Sequence, residues 1–156
     1  MPQAIYDRLK QDHDNHRAML EKLDGASADT RGDLLEKFRI EVSAHAAAEE
    51  ETLYATMLAN PDLRHEAQHS VAEHNEVEDY LEELVELDPA SEKWTDCYEK
   101  MAHRYRHHID EEEEDMFPAA NAELSAAKEQ ELAKKFDERK PDEIERAKEM
   151  ETDERE

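Results

Sequence analysis

The sequence predicts an all-α fold, an up-down antiparallel four-helix bundle with a C-terminal helical extension, and three observations carry that reading. The 156 residues include only 2 Gly and 5 Pro, are 41% charged, and are rich in Ala, Leu, Glu and Lys, which favour helices. Apolar residues recur at helical spacing through nearly the whole chain, and turn residues cluster where that period breaks. The chain also repeats itself as two similar helical hairpins, and its length suits one domain with a real core.

The elements follow in order. A first helix spans about Gln3 to Asp24, with Ile5, Leu9, Leu20 and Leu23 as apolar positions, and stops in the loop Gly25-Ala26-Ser27-Ala28-Asp29. The second starts near Thr30, where Thr30 and Asp33 have capping-box spacing, and runs to Ala59. Asn60 caps the third and Pro61 opens it, and it ends near Leu87. After the turn Asp88-Pro89-Ala90-Ser91, a fourth helix runs from Glu92 to Phe117, where Pro118 stops it. Residues 1–120 thus form the bundle, and residues 121–156 a charged, mostly helical extension broken at Lys140-Pro141. The extension reads as peripheral: Leu124, Leu132 and Phe136 are suited to dock, Ile144 and Met150 are its other apolar positions, and Glu149 to Glu156 tends to fray.

The repeat places the histidines. Sliding the chain on itself lays Asp12-His13 over Glu73-His74, and His45 with Glu49-Glu50-Glu51 over His108 with Glu112-Glu113-Glu114. Each hairpin therefore contributes one lone His and one His-x-x-x-Glu pair. Residues four apart on a helix differ by about 40° around its axis, so His45 and Glu49 share a face, as do His108 and Glu112. That face is the apolar one: Phe38 and Val42 precede His45, Met101 and Tyr105 precede His108, Leu9 and Leu20 flank His13, and Val71 and Leu81 flank His74. Inward carboxylates are costly unless paired, and a cation satisfies all six groups together. His65, His69, His103 and His107 read as surface residues, whereas His16 lies close enough to the ligand face to act as a second layer or gate. Glu111 to Asp115 is mostly a solvated face, with Glu113 the alternative to Glu112.

Composition narrows the partners. A net charge of −24 argues against nucleic acid and anionic membranes and favours a monomer. No apolar run is long enough to span a bilayer, and the start lacks the pattern of a signal peptide, so a cytoplasmic location is expected. Cys97 is the single cysteine, so a metal site must rely on imidazole and carboxylate. Such ligands suit iron or manganese, and zinc is chemically acceptable.

L-x-x-D-H in the first helix, H-x-x-x-E-E in the second, E-H in the third and H-x-x-x-E-E-x-x-x-F-P in the fourth resemble the hemerythrin-like, His-His-Glu cation-binding domains over about residues 3–120. The resemblance implies a non-heme centre of two iron ions, with His13, His45, Glu49, His74, His108 and Glu112 as ligands and Glu49 and Glu112 as bridges. It also implies a small-molecule partner such as O2, NO or H2O2. Two departures stand out: where oxygen carriers have a further His on the third helix this chain has Ser70 and Glu78 flanking His74, and its fourth helix reads H-x-x-x-E. Glu78 is a candidate for an open position, and Tyr6 and Tyr105 are candidate hydrogen-bond donors or ligands. Simple oxygen carriage is thereby disfavoured relative to binding or sensing of an oxidant or of iron. The competing expectations are an enzyme that decomposes peroxide or detoxifies reactive nitrogen species, and a structural protein with an acidic interaction arm.

Overall fold

The computed structural model describes the backbone of residues 3–155 and the side chains of residues 3–149. Five helices, and no strand, occur among the described residues. Helix α1 is Ile5–Asp24, α2 begins as Ala28–Glu49, α3 is Arg64–Glu86, α4 begins as Glu92–Glu111, and α5 is Ala126–Arg155. Two of them carry an irregularity at the same place. After Glu49, α2 passes through the π-helical turn Glu50–Tyr54 into Ala55–Leu58, and after Glu111, α4 passes through Glu112–Met116 into Phe117–Glu123. The Ala55 N–H reaches the Glu50 carbonyl, and the Phe117 N–H reaches that of Glu112, five residues back in each case. Such turns are rare and concentrate at functional sites.

Several expected boundaries move, each for a local reason. The second helix starts at Ala28 instead of Thr30, because Ser27 has extended backbone and its carbonyl accepts from the N–H groups of Thr30 and Arg31. Asn60 does not cap a helix opened by Pro61. Its side chain accepts from the Asp62 N–H, a turn follows, and α3 begins only at Arg64. Pro118 does not stop the fourth helix, since the π-helical turn sets it in the first turn of a new α-helical segment, where its missing N–H is not needed. Pro141 lies inside α5 and does not break it. The lost hydrogen bond is offset by packing on either side of it, where Phe136 and Ala147 are both buried.

The core has two apolar parts. One gathers Ile5, Leu9, Leu53, Met57, Leu63, Phe117, Leu132 and Phe136, and the other Leu20, Phe38, Val42, Leu81, Trp94, Met101 and Ile109. Along α1, Leu9 belongs to the first part and Leu20 to the second, and the buried His13 and His16 lie between them. A polar layer is therefore sealed between two dry ones. The free Cys97 lies in the second part, where burial first and then Glu83 push its thiol up to about 11.

The C-terminal helix is integral to this arrangement, in contrast to the peripheral role expected for it. Leu132, Ala133 and Phe136 are buried in the first apolar part, Leu124 packs against it, and α5 lies along α1 and α2. The Arg8 guanidinium sits over the Phe136 ring at 4.9 Å. The side chains of Met150 to Glu156, where fraying was expected, fall outside the described residues. Replacing a fully buried Phe by Ala removes its apolar burial and leaves a cavity, so Phe136→Ala should lower stability by about 3–5 kcal/mol in urea unfolding. A loss below about 1 kcal/mol would show that α5 contributes little to the core.

Candidate metal centre

At 3.6 residues per turn, each His-x-x-x-Glu pair lies on one helix face, and the bundle turns all four faces inward. Two overlapping groups result, His13, His45, Glu49 and Glu112 in one, Glu49, His74, His108 and Glu112 in the other, each with candidate ligand atoms within 4.8 Å of one another. Glu49 and Glu112 belong to both. All six residues are at most 5% exposed. Across the centre, His13 Nε2 stands 3.4 Å from Glu112, His45 Nε2 3.6 Å from Glu49, His74 Nε2 3.4 Å from Glu49, and His108 Nε2 3.1 Å from Glu112. The Nε2 atoms of His74 and His108 are 3.0 Å apart.

Behind the imidazoles lies a second layer of carboxylates. His13 Nδ1 donates to Glu113 at 2.7 Å, His45 Nδ1 to Asp12 at 2.8 Å, and His108 Nδ1 to Glu73 at 2.9 Å. A carboxylate only accepts, so each of these bonds fixes the proton on Nδ1 and turns the Nε2 lone pair to the centre. A third layer is cationic. Arg8 and Lys140 donate to Asp12, at 2.7 and 2.9 Å, Arg17 lies 3.0 Å from Glu113, and Arg104 donates to Glu73. Against the effect of burial, the His45 ring first, and then Arg8 and Lys140, hold the Asp12 carboxyl well below the usual carboxylate range.

The donor set fits a cation. His13 Nε2, His45 Nε2, both Glu49 oxygens and Glu112 Oε1 are buried without a hydrogen-bond partner, a costly arrangement for groups with lone pairs unless a positive charge gathers them. Among the protein's own groups, burial first and then the Glu112 charge hold the Glu49 carboxyl well above its ordinary range. Burial would lower His13, but Glu112 and Glu113 beside it raise it to about 9. Burial also holds His45 well below its ordinary value, which keeps that ring in the neutral form that can ligate a cation.

The other sequence candidates scatter. Glu113 stands behind His13 and does not face the centre. His16 is fully buried, bonds the Tyr105 hydroxyl at 2.7 Å, and has its ring 5.0 Å from that of His45. Tyr105 is thus tied to His16, and burial first, then Glu49 and Glu112, raise its pKa well above the ordinary value. Tyr6 packs on Phe117, and burial and then Glu129 raise its hydroxyl's pKa, so it belongs to the α5 side. Glu78 accepts from Ser43 Oγ at 2.7 Å and fills no position in the two groups.

Tyr54 went unread in the sequence. Its hydroxyl donates to Glu112 and lies 3.4 Å from His74 Nε2, and its ring stacks on His74 at 5.2 Å. Five residues past Glu49, it would sit about 140° off the ligand face of a regular helix, and the π-helical turn brings it back. Its counterpart Phe117 stacks on His13 in the same way without a hydroxyl. Asp12 and Glu73 were in the repeat but carried no signal of their role, whereas Lys140 comes from outside it.

The fold and the site together define a helical bundle with a buried His/Glu site able to hold metal cations. A profile of the Hemerythrin HHE cation binding domain family matches residues 4–120, and the chain belongs to that family. The crystal structure of a hemerythrin HHE cation binding domain-containing protein from Mycobacterium kansasii superposes with a TM-score of 0.79 at 26% identity, covering 91% of this chain and 88% of that one. That coverage exceeds residues 4–120, so the likeness extends into α5. No curated protein matches the chain. Orienting carboxylates of this kind are worth 10- to 100-fold in metal affinity, so Asp12→Ala and Glu73→Ala should each weaken binding by roughly that factor in chelator competition. Unchanged affinity in both would remove them from the site.

Proposed function

We propose that the chain is a non-heme di-iron protein that binds or senses a small oxidant, O2, NO or peroxide, or iron itself. The observation that carries the reading is the pair of overlapping His/Glu groups that share Glu49 and Glu112. His13 and His45 would hold one ion, His74 and His108 the other, with the two carboxylates between them. Imidazole and carboxylate without thiolate is chemistry that iron accepts, as do manganese and zinc, and iron is favoured by the family resemblance. Bound iron would supply electrons and open positions for a small oxidant. The protein's part is to fix the imidazoles from behind and to keep water out with the apolar parts above and below. Among the described residues no helix is long and apolar enough to cross a membrane.

Metal analysis of freshly purified protein should find about two irons per chain, as in other two-metal carboxylate bundles, with near-ultraviolet charge-transfer bands that change on adding peroxide. His45→Ala and His108→Ala should each lose or unbalance the metal. Full metal content in both variants would overturn the ligand assignment.

One observation favours a second reading, an enzyme that decomposes hydrogen peroxide. The Tyr54 hydroxyl is buried beside Glu112, and burial first, then Glu112 and Glu49, keep it protonated as a donor. A proton donor at a reacting group commonly contributes about 10²-fold, so Tyr54→Phe should slow peroxide turnover by that order with metal content retained. Equal rates would return the protein to the binding or sensing role.

A further inference from the structure

The four central imidazoles are not held alike. His13, His45 and His108 are pinned from behind by carboxylates at 2.7 to 2.9 Å. The His74 Nδ1 is buried without a hydrogen-bond partner, and Glu50, in the place that corresponds to Glu113, stands 3.6 Å away. His74 is only 5% exposed, yet it lines a groove of about 380 Å³ whose walls come from α2, α3 and α5. Glu50 lines the same groove, so the unpartnered nitrogen looks toward it. Three carboxylates, Glu50, Glu78 and Glu143, face it against the guanidiniums of Arg39 and Arg146. Arg146 is engaged by Glu143 at 3.0 Å and Arg39 by Glu36 at 2.6 Å.

We propose that this groove is the path by which a divalent metal cation reaches the centre, with His74 the ligand that passes it inward. The inference rests on the metal-centre reading above. A ring pinned at Nδ1 must break a charge-assisted hydrogen bond to turn, and the His74 ring has none to break. Its Nδ1 lies on the Glu50 side, and its Nε2 lies 3.4 Å from Glu49. One imidazole thus has a buried nitrogen on the groove side and another toward the centre. Carboxylates along the groove concentrate cations there and offset part of the cost of stripping water from the ion before it reaches Glu49 and Glu112. A rival path exists on another face, a groove of about 350 Å³ lined by His69, Glu73, Glu111 and Asp115. Its Glu73 pins the His108 Nδ1 from behind at 2.9 Å, so that ring has no nitrogen to offer outward.

The test times uptake of ferrous ion by the full chain, first stripped with a chelator and kept anaerobic, by quenching aliquots into a chromogenic chelator. The double substitution Glu78→Gln with Glu143→Gln should slow uptake about tenfold, the order expected when a charged cleft loses its steering, with the same final iron content. Ala47→Phe, which narrows the same groove without changing charge, should also slow it. His69→Ala with Glu111→Gln should leave the rate unchanged. Normal rates in both groove variants, or equal slowing by the rival pair, would overturn the path. A wild-type chain that takes up no iron, cobalt or zinc would instead remove the metal-centre reading, and this inference with it.

Discussion

Everything in this bundle answers to one constraint: two carboxylates, Glu49 and Glu112, are placed side by side where water does not reach. Taking an ionised carboxylate out of water costs several kcal/mol even after relaxation, and a second beside it adds repulsion. The response is layered. Four imidazoles surround the carboxylates, outer carboxylates stand behind three of the rings, and Arg8, Arg17, Arg104 and Lys140 stand behind those. Charge alternates outward from the centre, and each layer orients the one inside it.

The repeat builds most of these layers twice, and where it fails the two ends of the centre become different. Tyr54 stands opposite Phe117, so only one end has a hydroxyl on the shared carboxylate. His16 and Tyr105 take places that the other hairpin gives to Val77 and Val42, so a buried hydrogen-bonded pair lies beside His45 and an apolar surface lies on the other side. Two similar His/Glu groups thus lie in unequal surroundings, one lined by a hydrogen-bonded polar pair and the other by apolar side chains.

Helix α5 completes one side of this arrangement. Its Phe136 ring lies 5.6 Å from that of His45, and its Lys140 joins Asp12 to Glu41, the carboxylate 3.4 Å from His16. A helix in which 19 of 30 residues are charged thus supplies an apolar cap and a buried cation to the same imidazole. Glu129 and Glu143 are buried as well, but most of its other described charges face solvent, which is why its composition alone suggests a solvated appendage.

The four bundle helices and the inward turn of the six His and Glu residues were legible in the sequence, because helical periodicity and i, i+4 spacing are local properties that the chain carries wherever it packs. Asn60, Pro61, Pro118 and Pro141 misled as punctuation, since a proline's cost depends on whether its surroundings offset the missing hydrogen bond. What only the tertiary structure decided are the relations between helices. The π-helical turns rotate Tyr54 and Phe117 over the rings, Asp12 and Glu73 each cross to a histidine on the neighbouring helix, and α5 closes over His45. A sequence states which face a side chain leaves its own helix from, but the group it meets belongs to another helix, and the depth and rotation of that helix are set by the packing of the whole core.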